Sequence, residues 1–386
     1  MPWFGLQLVL QILPHMQKSN PLKISFGFFV IYRAFIFLIS FFSITFFPKL
    51  IAGDLIAPGT IFNYMSSWAN WDGGHYLAIA KDGYQIWFQY AFFPLYPILI
   101  KLFSIFTSPL ISGLVISNLS LFLAIYFFYK LVRLDFSQQT AIKTITYFLV
   151  FPTSFFLVAL YSESLFLFLT IASFYFARQK NYLYSNILAG FAVLTRPIGI
   201  LILAGITFEY FYQRNFKFKK VKIDLILFLL PILFLLVFLY FLKSTYGDPF
   251  IFIKAQTFWQ RGVNSFPIKV IFDNLYQVAS LKNLGVSIYS NQLLDLTAFL
   301  IAFIGLIFSL GKIRLSYLIY ALLVILVPLV SGSIASMSRF VLVAFPVFVY
   351  FAILGKNEML DRFLLMVFIA LQAILLTLFL NGFWVA

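Results

Sequence analysis

What most constrains this chain is a series of uninterrupted apolar stretches, at about 24–47, 110–132, 142–160, 162–178, 184–212, 223–243, 291–310, 315–331, 339–354 and 361–381. A helix rises 1.5 Å per residue, so roughly twenty apolar residues cross the ~30 Å hydrocarbon core of a bilayer. Strands of a membrane barrel would instead alternate apolar and polar positions over about ten residues. Composition agrees: 63% of the 386 residues are apolar and 10% are charged, too few to keep the surface of a soluble domain this size in water. The sequence therefore predicts an all-α, polytopic integral membrane protein with about nine to eleven transmembrane or re-entrant helices, forming one transmembrane domain over 1–386. The stretch 92–107 is short and carries Pro94, Pro97 and Lys101, so it reads as a re-entrant or interfacial helix. Residues 1–16 lack a basic segment and read as interfacial rather than as a cleaved signal. Cysteine is absent, which leaves the redox compartment open.

The formal charge of +15 is read first as an orientation signal, and no nucleic-acid partner is expected. Lys18 and Lys23 hold the start of the first span on the cytoplasmic side, which makes 48–108 the first outer loop. Lys130, Arg133 and Lys143 return inside, the turn 161–164 lies outside, and Arg178 and Lys180 are inside again. A single crossing by 184–212 would then export the basic run Arg214 to Lys222. A break at Arg196-Pro197 removes the conflict by making two half-helices that return the chain to the cytoplasm. The later spans place a second large loop, 244–290, and the segment 331–339 outside.

No G-x-x-x-x-G-K-[ST], G-x-G-x-x-G or G-x-S-x-G occurs, and the two histidines, His15 and His75, form no H-E-x-x-H. Soluble nucleotides, zinc and other cofactors are not expected. Polar residues concentrate instead in the first outer loop, from Trp71-Asp72-Gly73-Gly74-His75-Tyr76 to Lys81-Asp82-Gly83-Tyr84. A helix over 72–80 would align Asp72, His75, Tyr76 and Ile79 on one face. Asp72 then either caps an interfacial helix or acts as a general base at the membrane surface; Trp71 and Tyr76 belong equally to an aromatic belt. Asp82-Gly83 is a turn, and a metal site from Asp72, His75 and Asp82 is not expected.

Elsewhere, Arg196 inside an apolar stretch costs roughly 2.5–3.5 kcal/mol on insertion scales, which favours a functional role or pairing with Glu163 over an idle one. Glu163 is either a helix cap or part of an acceptor site. Arg339 either snorkels at the outer interface or binds an anion, and Lys254, Gln256 and Arg261 are further candidates in the second outer loop.

The strings WDGGHYLAIAKDGY and AFFPLYP, followed in order by FPTSFFLVALYSESLF, LAGFAVLTRPIG, YGDPFIFIKAQ and SRFVLVAFPVF, resemble the PIG-V family of mannosyltransferases over residues 71 to about 349. The resemblance implies a GT-C membrane glycosyltransferase with a catalytic Asp in its first large outer loop, which maps onto Asp72, and a polyprenyl-phosphate sugar as donor. Independently of the resemblance, the residues' own placement at the outer face and the need of a lipid phosphate for cations nominate Trp71, His75, Glu163, Arg196, Lys254, Gln256, Arg261 and Arg339 as substrate-binding candidates. The length suggests a prokaryotic relative in the cell membrane, with the site on the extracytoplasmic side. Its acceptor would be a lipid-linked glycan or a protein. The rival readings are a lipid or polysaccharide transporter or flippase, which also uses buried Arg and Glu, and a non-catalytic scaffold, which would leave the polar loop without a purpose.

Overall fold

The computed structural model describes residues 20–51, 54–56, 64–259, 261–262, 265–280 and 286–385. The expected interfacial segment 1–16 and His15 lie outside them. Helix α1 is Pro21–Phe46, started by Asn20, whose side chain accepts from the Leu22 N–H, with Pro at the first helical position. A short antiparallel ladder comes next, β1 (Lys49–Ile51) against β2 (Asp54–Ile56), with Lys49 opposite Ile56. Helices α2 (Asp72–Asp82) and α3 (Leu95–Phe103) are short and precede α4 (Pro109–Val132), α5 (Gln138–Val150) and α6 (Glu163–Arg178). Next come α7 (Tyr182–Thr195), α8 (Ile202–Tyr212), α9 (Leu230–Tyr246), α10 (Ile251–Ala255) and α11 (Pro267–Ser280). The chain ends with α12 (Val286–Phe308), α13 (Leu315–Val330), α14 (Met337–Val343), α15 (Pro346–Leu354) and α16 (Glu358–Leu380).

Among the described residues, five helices are long and apolar enough to cross a bilayer: Pro21–Phe46, Pro109–Val132, Ile223–Tyr246, Asn291–Phe308 and Glu358–Leu380. Helices α14 and α15, bent by 85°, meet the same length and apolarity only when taken together, as a broken span or a re-entrant loop. Helices Tyr182–Thr195, Pro197–Tyr212 and Leu315–Val330 are apolar but shorter. Long helices such as α1 and α9 leave apolar side chains exposed, among them Phe26, Phe41, Val237 and Tyr240, as a surface facing hydrocarbon must. Helix α6 lies inside: it packs on α4 and α7, and Phe166 and Phe174 are fully buried.

The expected span 142–160 is corrected. Helix α5 stops at Val150, because Phe151 before Pro152 is held extended (φ −57°, ψ 140°), and residues 151–162 run as buried, largely irregular chain. Such backbone survives at depth only where protein groups satisfy it. Here the Ser164 hydroxyl donates to the Leu157 carbonyl and the Leu160 N–H to the Trp68 carbonyl.

The break expected at Arg196-Pro197 is present. Arg196 is extended (φ −151°, ψ 143°), and the chain reverses so that Tyr182 at the start of α7 donates from its hydroxyl to Gln213, just past α8. Gly199 permits the reversal, since a Cβ there would stand 2.6 Å from the Ala192 carbonyl.

Polar groups gather at the two ends of the bundle. At one end Glu209 accepts from Arg314 at 2.7 Å, Arg178 pairs with Asp135, and Arg214 with Asp224 at 3.0 Å. Glu163 heads α6 at the other end, fifteen residues and about 22 Å from Arg178.

Candidate active site

Asp72 is the first residue of α2, and the residue before it is unusual. Trp71 sits at φ 58°, ψ −117°, a conformation that a bulky L-residue adopts only when its surroundings over-determine it. The surroundings do so: the indole N–H donates to the Phe383 carbonyl at 3.3 Å, and the ring meets Trp384 edge-on at 5.1 Å. On the other side, the Asp72 N–H donates to the Tyr161 hydroxyl at 3.2 Å, which itself donates to the Asn70 carbonyl at 3.0 Å. Burial pushes the Tyr161 phenol well up, so it stays protonated for that second bond. Gly73 fits against the Leu160 carbonyl, 3.3 Å from where a Cβ would lie. The acid's backbone is thus fixed on both flanks.

Its carboxylate meets Arg339. One guanidinium nitrogen, Nη2, stands 2.9 Å from Asp72 Oδ2 and 2.6 Å from Glu163 Oε1, and Nε adds a second bond to Glu163 at 2.9 Å. Arg196 Nη1 approaches the same Glu163 oxygen at 2.8 Å. Glu163 has no solvent exposure, while its other oxygen, Oε2, has no hydrogen-bond partner among the described residues. The Arg339 guanidinium also lies over the rings of Phe156 and Tyr161, 4.9 and 5.0 Å from their centres.

These groups border a cavity of about 670 Å³ lined by Asp72, Tyr76, Arg196, Gln256, Arg261 and Arg339, with Trp259 and Trp384 among its apolar walls. The volume is within the range of small-molecule sites, roughly 300–1,000 Å³. Arg261 donates to the Ala335 carbonyl and lies 5.0 Å from the Phe340 ring, but its Nε has no partner among the described residues. Burial, reinforced by nearby Arg339, pushes Arg261 down to about 10, so it is a cation at neutral pH with a donor to spare.

The candidates that the sequence nominates are distributed unevenly around this cavity. Asp72, Arg196, Gln256, Arg261 and Arg339 line it. Glu163 is neither the cap, which is Ser162, nor a cavity wall; it is enclosed behind Arg196 and Arg339. Trp71 is 44% exposed beside Trp384 and braces Asp72 rather than lining the cavity. His75 packs against Phe88, Phe92 and Trp259, and so supports a lining residue instead of being one. Lys254 is exposed and does not line the cavity. Among the described residues no three His, Asp or Glu side chains gather to hold a metal ion.

Three participants escaped sequence reasoning. Trp384 and Trp259 line the cavity, and nothing in their local sequence marks them. Asp295, 3% exposed in α12, accepts the Ser338 N–H at 2.9 Å and so anchors the start of the half-helix that carries Arg339. Its one signal was a carboxylate inside an apolar stretch.

Comparison with known proteins places the fold. The chain is similar to the crystal structure of ArnT from Cupriavidus metallidurans bound to undecaprenyl phosphate, with a TM-score of 0.50, 13% identity, and coverage of 92% of this chain and 76% of that one. It is also similar to the oligosaccharyltransferase of Archaeoglobus fulgidus in complex with Zn and sulfate, at TM-score 0.45 and 15% identity, where 91% of this chain matches 53% of that one. The chain thus spans about half the length of the oligosaccharyltransferase. A comparison with curated proteins gave no significant match. The family profile "Mannosyltransferase (PIG-V)" matches residues 26–257, well over half of the chain, so the protein belongs to the PIG-V mannosyltransferase family and is a membrane glycosyltransferase of the GT-C fold.

Proposed function

We propose that the protein transfers a hexose, mannose in the first instance, from a polyprenyl-phosphate sugar to an acceptor hydroxyl on a lipid-linked glycan or protein, with inversion, at the extracytoplasmic membrane face. The observation that carries this reading is one cavity lined by a carboxylate, Asp72, paired with Arg339, and by two further guanidinium groups, those of Arg196 and Arg261. Asp72 takes the acceptor proton as the hydroxyl oxygen bonds to the anomeric carbon. The bond from that carbon to the phosphate oxygen breaks, and the electron pair leaves with the lipid phosphate. Asp72 loses one negative charge as the phosphate gains one, so the net charge inside the cavity stays constant through the step.

Arg261, with an unused Nε, is suited to meet the phosphate, while Arg339 and Arg196 are held by Glu163 for the same task. A donor carried in the bilayer needs no nucleotide cradle, in keeping with the missing phosphate-loop motifs. ArnT was crystallised with undecaprenyl phosphate, which supports a lipid phosphate as the donor's carrier. The outer face is supported by the sorting of charge, because the basic run Arg214 to Lys222 lies at the end of the bundle away from Asp72.

The test is transfer by the full chain in liposomes supplied with polyprenyl-phosphate mannose, radiolabelled in the sugar, and extracted lipid-linked acceptors. Asp72→Asn is expected to abolish transfer while donor binding persists, with a smaller fall in melting temperature than loss of Arg339 brings, because Arg339 keeps Glu163. Undiminished transfer by that variant overturns the assignment of Asp72, and transfer of glucose in preference to mannose overturns the choice of sugar.

A further inference from the structure

A second cavity, of about 690 Å³, lies away from Asp72, and its walls are almost wholly apolar. One wall is a face of α8, built from Leu203, Thr207, Phe208 and Phe211 at helical spacing. The other is made by Phe216 and Phe218 from the loop after that helix. That loop is held in an uncommon shape. Asn215 and Phe216 both have positive φ, 53° and 55°, and the Phe216 N–H donates back to the Phe211 carbonyl at 2.9 Å. A left-handed phenylalanine is costly unless its neighbours require it. Here the result is that the Phe216 ring returns to 5.5 Å from Phe208 and closes the groove.

Beside the groove the sequence runs Phe216-Lys217-Phe218-Lys219-Lys220, and the three lysines are exposed. Among the described residues none of the three pairs with a carboxylate. Arg214, by contrast, is committed: it bonds Asp224, the Tyr182 hydroxyl and the Lys220 carbonyl, and stacks 3.5 Å over Tyr210. The uncommitted charge next to the groove therefore belongs to Lys217, Lys219 and Lys220, interleaved in the chain with the two phenylalanines that wall the slot, and to exposed Lys222 just beyond them.

We propose that this groove binds one anionic phospholipid from the leaflet at this end of the bundle, its acyl chain lying between α8 and the Phe216–Phe218 loop and its phosphate meeting Lys217, Lys219 and Lys220. A lipid is the occupant that needs both halves, an apolar channel and an adjoining cationic rim, and juxtamembrane lysines select anionic headgroups. A free phosphate would need the lysines but not the groove. A zwitterionic lipid would need the groove but not the lysines. The site is independent of the glycosyl-transfer reading, since no residue of the Asp72 cavity takes part.

The experiment uses the full chain in nanodiscs of phosphatidylcholine doped with phosphatidylglycerol, with the retained lipids counted by native mass spectrometry after gentle extraction. Phosphatidylglycerol is expected to be retained over phosphatidylcholine by roughly tenfold or more. Changing Lys217, Lys219 and Lys220 together to Gln should erase that preference, and Thr207→Trp, which fills the groove and keeps the lysines, should reduce retention of both lipids. The melting temperature of each variant shows that the fold persists. Equal retention of the two lipids by the wild type, an undiminished preference in the lysine variant, or displacement of the lipid by soluble glycerol phosphate would each overturn the proposal.

Discussion

Arg339 Nη2 lies 2.9 Å from Asp72 Oδ2, joining the head of α2 to a two-turn helix near the far end of the sequence. The same nitrogen serves Glu163, so one guanidinium plane sets the position of two carboxylates.

Arg339→Gln leaves Asp72 without its ion partner and Glu163 with Arg196 alone. Removing one member of a buried ion pair typically costs about 3–5 kcal/mol, so the melting temperature should fall clearly and transfer should drop below detection. Arg339→Lys restores the charge but not the planar fork that reaches both acids. It is expected to recover most of the melting temperature and little of kcat; a fully active lysine variant would refute the bridging role.

Trp71→Gly separates strain from function. The glycine accepts the backbone shape that tryptophan is forced into, a gain of about 1–3 kcal/mol, but it forfeits the edge contact with Trp384, about 0.5–1.5 kcal/mol, and the bond to Phe383. The melting temperature should move by a few degrees at most while kcat falls by about tenfold or more, because Asp72 loses the brace on one flank. Thermal unfolding and initial rates on the same preparation test both halves.

His75 supplies a pH dependence. Burial among Phe88, Phe92 and Trp259 lowers its pKa below the ordinary imidazole value, with nearby Asp72 acting the other way. The unfolded chain then takes up a proton that the folded protein refuses. Stability is complete above about pH 6.5 and declines as the pH falls through the folded value. His75→Phe should flatten the dependence of melting temperature on pH between neutrality and mild acid; an unchanged slope would show that another group is responsible.

Gly199→Ala should be the most damaging of the glycine substitutions in the hairpin, since its Cβ would stand 2.6 Å from backbone atoms of Ala192 and Val193. The two half-helices would separate and Arg196 would leave Glu163. Gly247→Ala makes a useful contrast: its φ of 81° strains an alanine, but nothing lies within 4 Å of the added carbon. The first variant is expected to lose most folded protein, the second about 1–2 kcal/mol of stability.

Much of this arrangement was legible in the sequence, for local reasons. The helix at Asp72, the reversal at Arg196-Pro197 and the enclosure of Glu163 by a cation follow from a dense polar motif, an excess of charge on the wrong side and the expense of unpaired ions in hydrocarbon. Arg339 was recognised as a candidate, but its grip on Asp72 was not, because contact between distant segments is decided by packing that no short pattern encodes. Trp384 and Asp295 were missed for the same reason. The end of α5 at Val150 was signalled by Pro152, yet the apolar run continues past it, and hydrophobicity does not distinguish buried coil from helix.

Helix α14 is only two turns long and is closed at both ends. Asp295 pins its beginning through Ser338, and the 85° corner before Pro346 fixes its end, so Arg339 is held between two stops only a few residues apart. Each residue added to or removed from a helix rotates the remainder of that helix by about 100°. The corner therefore works as a ruler: most loops of such a protein can change in length at little cost, but a single-residue insertion or deletion between Ser336 and Pro346 would point the guanidinium away from the acid it serves.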